Sequence, residues 1–600
     1  MEFIKGADIS FLEEMMDLGA VFYDENGTKR EVFSLLKENG VNSIRLRIWN
    51  QPENVPESGG YCSLSKTIAM AKTIKEHGMS FMLDFHYSDW WADPQKQTKP
   101  KAWQGLSYHE LIDAVYQYTK EVLLALEQAG ASPDYVQIGN EIRSGMLFPD
   151  GEVPNFPGLV PLINAGIHAV REVGGKYDTK VVIHLDQGGR FFYLKEWFDQ
   201  AMDNGLQEFD IIAISYYPFW HGTFSEFRSS MDRLADTYHK PVIVAETAYA
   251  WRLSPSGFIG EQQERIAGFT ANPEGQKTVL DLVMNITASV KDGMGLGVYY
   301  WEPVVSPAVG KGGWCESMGV FGADQRALPA LRSFRFEREM FIRDKVARIC
   351  RDERYIIEAG TKSRLPEQLA VLLWDGTLEY ETVVWQEPNS WKPVSNTAEY
   401  KEGLHAKGGL SGDIRPGCYE ITGRLFNRNM EVKVLAEVRE ADDSFNFLRN
   451  PGFEAGMDGW EMDGDETVTC EVRPDFVEEF PAPPIHYVLV ESQKNFQCEL
   501  RQKISQLPAG TYRLSCEYTG TNTTGVDVRL FARTPAFVKD YAVFPTDGQW
   551  VEYEIKEILM EAEGDLEVGV RILAPPIYGK IRNLKLNRMH GETTNGERLI

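Results

Sequence analysis

The feature that most limits the fold of this chain is an alternation running through its first 340 residues. Short β-rich runs recur at Phe3–Ile9, Ser43–Trp49, Ser80–His86, Tyr135–Glu141, Lys180–Asp186, Asp210–Tyr216, Pro241–Glu246 and Gly295–Glu302. Several are nearly continuous apolar stretches, the pattern of strands covered on both faces. Helical patterns lie between them. Thr28–Asn39 closes with Gly40, Ser65–His77 with Gly78, Tyr108–Ala129 with Gly130, and Pro157–Val173 with Gly174. Glycine ends a helix well because it enters the left-handed conformation without a Cβ penalty. Eight strands, each followed by a helix, predict a (β/α)8 TIM barrel. The competing arrangement is an open doubly wound sheet. No Gly-rich phosphate loop follows the first run, and the strand count is eight, so the barrel is favoured.

In such a barrel the chemistry gathers at the C-terminal ends of the strands. Read at those ends, the runs finish on Arg45 and Trp49, Asp84 and His86, Asn140 and Glu141, His184 and Asp186, Tyr216 and Tyr217, Glu246, and Trp301 with Glu302. Polar, ionisable and aromatic groups thus converge on one rim. Glu141 and Glu246 end the fourth and seventh strands, which face one another across an eight-strand mouth. Cleavage of a glycosidic bond needs two carboxyl groups across it. One protonates the leaving oxygen, and the other attacks the anomeric carbon or activates water. Two inward glutamates on these strands can approach to about 5–5.5 Å, the retaining geometry. The pair also needs split pKa values, so that one stays protonated near neutrality. The plainer alternative is that each glutamate is an ion-pair partner of a rim arginine such as Arg45.

The neighbours fit the chemistry. Asn140 is suited to hydrogen-bond a sugar 2-hydroxyl. Arg45, always cationic, is suited to hold Glu246 ionised. Tyr217 or Tyr216 is suited to donate to that carboxylate, Trp301 to floor the subsite of the reacting ring, and His86 to bond substrate or a carboxylate. His86 and His184 stand on separate strands without metal-ligand spacing.

These segments resemble glycoside hydrolase family 53, the arabinogalactan endo-β-1,4-galactanases. The matching stretches run in order along the barrel. They are Gly6-Ala-Asp-Ile-Ser10, Gly40-Val-Asn-Ser-Ile-Arg45-Leu-Arg-Ile-Trp49-Asn-Gln-Pro52, and Leu83-Asp-Phe-His-Tyr-Ser-Asp-Trp-Trp-Ala-Asp-Pro94 with Gln97, Pro100 and Trp103. Then follow Val136-Gln-Ile-Gly-Asn-Glu141, Ser215-Tyr-Tyr-Pro-Phe-Trp-His221, Val244-Ala-Glu-Thr247 and Tyr300-Trp-Glu-Pro303. The resemblance implies Glu141 as acid/base and Glu246 as nucleophile, and substrate contacts from Trp91, Asp93 and Lys96 after the third strand. It implies internal cleavage of β-1,4-galactan, the side chain of type I arabinogalactan, with retention and without a required cofactor. Some bacterial members hold calcium in an Asp-rich loop after the seventh strand. Here that stretch, Trp251–Arg265, has no aspartate cluster, which argues against calcium there. The alternatives are a retaining clan A endo-glycosidase acting on mannan or glucan, and a non-catalytic carbohydrate-binding scaffold.

Beyond residue 342 the helical periodicity fades. The predicted division is 1–342 barrel, 343–442 immunoglobulin-like β-sandwich, 443–590 β jelly roll and 591–600 tail. Trp374-Asp-Gly376 with Val383-Val-Trp385 resembles bacterial immunoglobulin-like spacers. Phe447-Leu-Arg-Asn-Pro-Gly-Phe453-Glu454 with Gly459-Trp460, and Ile581-Arg-Asn-Leu-Lys-Leu586, resemble the opening and closing strands of galactose-binding-like, carbohydrate-binding modules. That resemblance makes Glu454 a candidate ligand for a structural calcium. Trp460, Tyr518 and Trp550 are candidate sugar platforms there.

Composition excludes some partners. Asp and Glu number 88 against 62 Lys and Arg, a net charge of −26, so neither nucleic acid nor an anionic membrane is an expected partner. The expected partner is a polysaccharide, met by a monomer. Seven scattered cysteines without a C-x-x-C pair form neither a disulfide framework nor a zinc ribbon. The first residues read as no signal peptide, which predicts a cytoplasmic protein as written, or an extracellular one if an export signal has been trimmed.

Overall fold

The computed structural model describes residues 2–254, 257–310, 313, 315–338, 345–350, 354–358, 365, 368–387, 390–394, 417–439, 445–448, 451–453, 457, 459–465, 468–475, 485–492, 494–546 and 549–589. Two compact units divide the chain: Met1–Ala347 with Leu372–Leu378, and Arg348–Val371 with Glu379–Ile600.

The first unit is a closed parallel barrel. Its strands are β1 (Ile4–Asp8), β2 (Ser43–Ile48), β3 (Ser80–Phe85), β4 (Tyr135–Ile138), β5 (Lys180–Leu185), β6 (Ile211–Ser215), β7 (Val242–Thr247) and β8 (Gly295–Trp301), and β8 closes back onto β1. The interior is filled rather than hollow. Ile4, Met82, Tyr135, Val182, Ile243 and Tyr299 form part of one buried layer. Gly6 is required there, because a Cβ on it would lie 2.1 Å from the Tyr299 ring. The Tyr299 hydroxyl meets Ser43 Oγ at 2.6 Å, which satisfies both groups in the dry interior.

The helices follow from their caps. In α1 (Val32–Glu38), α2 (Leu64–Glu76), α3 (Tyr108–Gln128) and α4 (Phe156–Gly174) the predicted glycine stops hold to within a residue or two. The first opens later than its periodicity suggests, because Lys29–Arg30 pairs with Phe22–Tyr23 as a hairpin and the Glu31 carboxylate caps Phe33 and Ser34. Three more helices complete the ring: α5 (Phe191–Asp203), α6 (Phe224–Tyr238) and α7 (Pro273–Ser289). Capping boxes Ser107/Glu110 and Thr223/Glu226 start α3 and α6. The expectation of a helix after every strand fails at β8. That strand is followed by a 3-10 segment, Pro329–Arg335, after a Pro- and Gly-rich stretch that interrupts helical periodicity.

Past the ends of β3, β4, β5 and β8 the chain turns through Tyr87, Glu141, Gln187 and Glu302 at φ 49, 48, 66 and 51°. A non-glycine residue there costs on the order of 1 kcal/mol, and such residues persist only where the surroundings fix them. All four lie on the C-terminal rim.

Outside the barrel, Val346–Cys350, Gln368–Leu373, Leu378–Trp385, Gly417–Leu425, Glu431–Arg439 and Arg354–Glu358 form one sheet in that spatial order. The last pair is parallel and Gly417–Leu425 is antiparallel to its neighbour. Two five-stranded sheets follow, one built on Phe496–Leu507 and Gly564–Ala574, the other on Gly510–Gly520 and Ile577–Met589. They share a core that includes Phe447, Phe453, Trp460, Tyr512, Tyr518 and Leu586. Glu454 lies outside the described residues. Among the described residues no helix is long and apolar enough to cross a membrane.

Candidate active site

The rim is organised by a buried arginine. Arg45 rises from β2 with 1% of its surface exposed. Its guanidinium donates to Asp8 Oδ2 at 2.6 Å, Asp84 Oδ2 at 2.9 Å, Asn140 Oδ1 at 2.9 Å and Gln137 Oε1 at 3.2 Å. It also meets Glu246 Oε1 at 2.9 Å. One planar fork therefore ties together the ends of β1, β3, β4 and β7, a task that lysine's point charge performs poorly.

Glu246 sits at the end of β7 and is 6% exposed. A register shift between Ile214 and Ser215 brings Ser215 opposite Glu246, so the strand ends are re-aimed toward the mouth. Its second oxygen accepts from the Tyr217 hydroxyl at 3.2 Å. Tyr216 is turned away: its hydroxyl donates to the Gly222 carbonyl at 3.1 Å and its ring stacks on Phe227. Of the two tyrosines, only Tyr217 reaches the carboxylate. The Glu246 carboxyl is raised to about 7: burial pushes it up most, Arg45 works against this, and the charges of Asp8 and Asp84 add to the rise.

Glu141 is delivered by a tight turn, with Gly139 at φ 79°. Among the described residues no guanidinium or ammonium bonds it as Arg45 bonds Glu246. Its Oε1 accepts from Ser215 Oγ at 2.6 Å, and Ser215 Oγ meets His184 Nε2 at 2.9 Å. Burial holds the Glu141 carboxyl well above the usual carboxylate range, the negative charges of Glu246 and Asp186 add to this, and the Ser215 hydroxyl opposes it. The two carboxyls thus differ as acid and base chemistry requires: Glu246 keeps a cation, and Glu141 keeps a neutral hydroxyl.

Aromatic rings line the cleft beside them. Trp91 lies 6.4 Å from Trp301, 5.7 Å from Trp49 and 6.0 Å from His86, centroid to centroid. Phe11, Trp49, Trp90, Trp91 and Val305 line a cavity of about 190 Å³. Arg47 stands over the Trp91 ring at 4.2 Å and the Phe11 ring at 4.5 Å while ion-pairing Glu302. Its charge and stacking therefore hold the aromatic wall in place.

His86 and Asn140 are anchored inward. His86 Nδ1 accepts from the Ala92 N–H at 3.0 Å, which leaves Nε2–H to donate to Asp84 Oδ2 at 3.1 Å. Asn140 gives one amide proton to the Ala92 carbonyl at 2.9 Å. Asp93 and Lys96 exchange backbone hydrogen bonds in a turn, and Lys96 Nζ lies 4.4 Å over the Trp90 ring.

The model of glycosyl hydrolase family 53 matches residues 4–334. The chain belongs to this family. It is a glycoside hydrolase, and its barrel is the family 53 domain. An arabinogalactan endo-β-1,4-galactanase of Cellvibrio japonicus is 36% identical over 352 residues, 56% of this chain and 90% of that one. An endo-β-1,4-galactanase of Bacillus subtilis is 36% identical over 315 residues, 51% of this chain and 71% of that one. The solved family 53 catalytic domain of Ignisphaera aggregans is 40% identical, with a TM-score of 0.53, covering 56% of this chain and 96% of that chain.

Sequence reasoning named Asp84 and His184 only as rim residues, and gave Asp8, Gln137 and Ser215 no role. Asp8, Asp84 and Gln137 complete the Arg45 cage, and Ser215 and His184 attach to Glu141. Their signal was position alone: each lies at or near the C-terminal end of a strand. Arg47 carried a further one, since alternate residues of β2 share a face. In the second unit the three platform candidates separate. Trp460 and Tyr518 are core, 6% and 0% exposed. Trp550 is half-buried, 5.9 Å from Tyr487, with Arg582 4.0 Å over its ring.

Proposed function

We propose that this family 53 hydrolase cleaves internal β-1,4-galactosidic bonds of type I arabinogalactan with retention of configuration. Glu141 protonates the glycosidic oxygen while Glu246 attacks the anomeric carbon, forming a galactosyl ester on Glu246 and freeing the leaving sugar. Glu141, now ionised, takes a proton from water, whose oxygen opens the ester. Arg45 and Tyr217 stabilise the Glu246 carboxylate before attack and after release. Asn140, Trp91 and Trp301 hold the reacting sugar, with Asp93 and Lys96 on the loop beside it. No metal or redox cofactor has a part in these steps.

The observation that carries this reading is the unequal environment of the two glutamates. The galactanase names of the Cellvibrio and Bacillus relatives support the choice of polymer. Reducing-sugar release is expected from β-1,4-galactan and not from mannan or cellulose, and NMR of the first-formed product should show the β-anomer. Cleavage of mannan with galactan untouched would overturn the substrate. Binding of galactan without cleavage would favour a scaffold.

We also infer that the C-terminal module binds the same polymer through the surface carrying half-buried Trp550 and Lys580, with Tyr487 buried behind them at 6% exposure. Lys580 Nζ lies 4.9 Å over the Tyr487 ring. In a Glu246→Gln background that prevents digestion, Trp550→Ala should reduce retardation of the full chain in galactan-containing native gels to what the barrel cleft alone gives. Unchanged retardation would remove this surface from the reading.

A further inference from the structure

Glu141 is attached to a chain of neutral hydrogen bonds whose direction can be worked out. The Glu141 N–H points at His184 Nδ1 at 3.4 Å, and Gln137 Nε2 lies 3.0 Å from the same nitrogen. Asn140 Oδ1 is 3.1 Å away but already accepts from Arg45 Nη2 at 2.9 Å. Nδ1 is therefore the acceptor, and the ring proton sits on Nε2. That proton goes to Ser215 Oγ, so the serine's own proton has one destination, Glu141 Oε1.

We propose that Ser215 and His184 are positioning residues for the acid/base. A neutral His184 locks the Ser215 hydroxyl as a donor to Glu141 Oε1, so that the catalytic proton is carried and delivered on Oε2. This inference rests on Glu141 being the acid/base.

The surroundings keep the relay neutral. Burial lowers the His184 pKa well below its ordinary value, and Arg45, His86 and His221 lower it further. Around Glu141 the charged and titratable groups are Glu246 from β7, Asp186 after β5, Asp93 from the loop after β3, Arg143 from its own loop, and Tyr217 after β6. The carboxylates raise its pKa. Arg143 Nε is engaged by Asp186 Oδ1 at 2.8 Å. The Ser215 hydroxyl is thus a nearby group that favours the ionised form, which Glu141 must adopt when it accepts a proton from water.

The test is the pH dependence of kcat/KM on galactan. Its basic limb reports loss of the acid/base proton in the free enzyme. Ser215→Ala removes the donor, so the basic limb should move up by about one pH unit. Its kcat should fall about tenfold at the wild-type optimum, because Oε2 is no longer the selected oxygen. On an aryl galactobioside with a dinitrophenolate leaving group, which needs no proton, the glycosylation rate should stay within about twofold of wild type. Ser215→Cys preserves the packing with a weaker donor, and the limb should move the same way by less; it serves if the alanine variant does not fold. A basic limb unmoved in a folded variant would overturn the proposal, because a packing role alone lowers stability without moving it. Glu141→Ala rescued by azide, with a β-galactosyl azide product, separately establishes the acid/base. Failure of that rescue sinks the role of Glu141 itself; rescue together with an unmoved Ser215→Ala limb sinks only the relay.

Discussion

Glu141 and Glu246 are the same residue type at the ends of β4 and β7, separated by β5 and β6 around the barrel, yet what meets each carboxyl differs. On the β1–β2–β3 side, Arg45 gathers Asp8, Asp84 and Glu246 around one guanidinium. On the β5–β6 side, Ser215 and His184 offer Glu141 hydrogen bonds without net charge. Burial raises both carboxyls, but among the described residues only Glu246 has a cation at bonding distance to favour its ionised form. The comparison teaches that the proton affinity of two identical side chains is set by their surroundings rather than by residue type.

The largest expected effect breaks the charged side. Glu246→Gln should lower kcat on galactan by about 10⁴-fold or more while galactan still binds. Wild-type turnover would remove Glu246 as nucleophile. Arg45→Lys keeps a charge but loses the fork, and should cost about 10²-fold in kcat/KM. Because Arg45 favours the ionised Glu246 carboxyl, the acid limb of the pH profile should move up in that variant; an unmoved limb would mean the arginine is only structural. Tyr217→Phe removes one bond to the same carboxylate, and should cost about tenfold in kcat with the acid limb again moving up.

The smallest effect sharpens the neutral side and concerns stability. The Glu141 carboxyl in the folded chain lies above its ordinary value of 4.5. A raised carboxyl contributes stability that is complete below the unfolded value and is lost as pH rises through the folded one. Glu141→Gln cannot ionise, so its melting temperature should match wild type near pH 4 and exceed it increasingly toward pH 8. The gain should reach about 1 kcal/mol. A variant less stable than wild type at pH 8 would show that the ionised carboxylate is favoured where it sits. The same variant should be inactive on galactan, so activity and stability pull against each other at this position.

The barrel was largely legible in the sequence. Eight buried parallel strands leave continuous apolar runs, and a run from Ser43 to Trp49 reads the same before and after folding. Glu141 and Glu246 were legible because strand ends are positions along the chain. Where legibility ended is instructive. The helix expected after β8 is a 3-10 segment, since Pro and Gly broke the periodicity without specifying what replaces it. Trp460 and Trp550 look alike in sequence, and one packs on Phe453 in the core shared by the two five-stranded sheets while the other is only half-buried.

The sequence by itself determined the strand count, the rim, the carboxyl pair and the family. These depend on periodicity and on residue types at strand ends, which are local. Only the tertiary structure decided that Arg45 serves Asp8, Asp84, Asn140 and Glu246 together, that Tyr217 rather than Tyr216 faces the carboxylate, and that Ser215 stands between His184 and Glu141. Those outcomes depend on which side chains from distant strands meet at hydrogen-bonding distance. They also depend on the low dielectric that burial imposes, where a single hydroxyl or guanidinium shifts which carboxyl holds its proton.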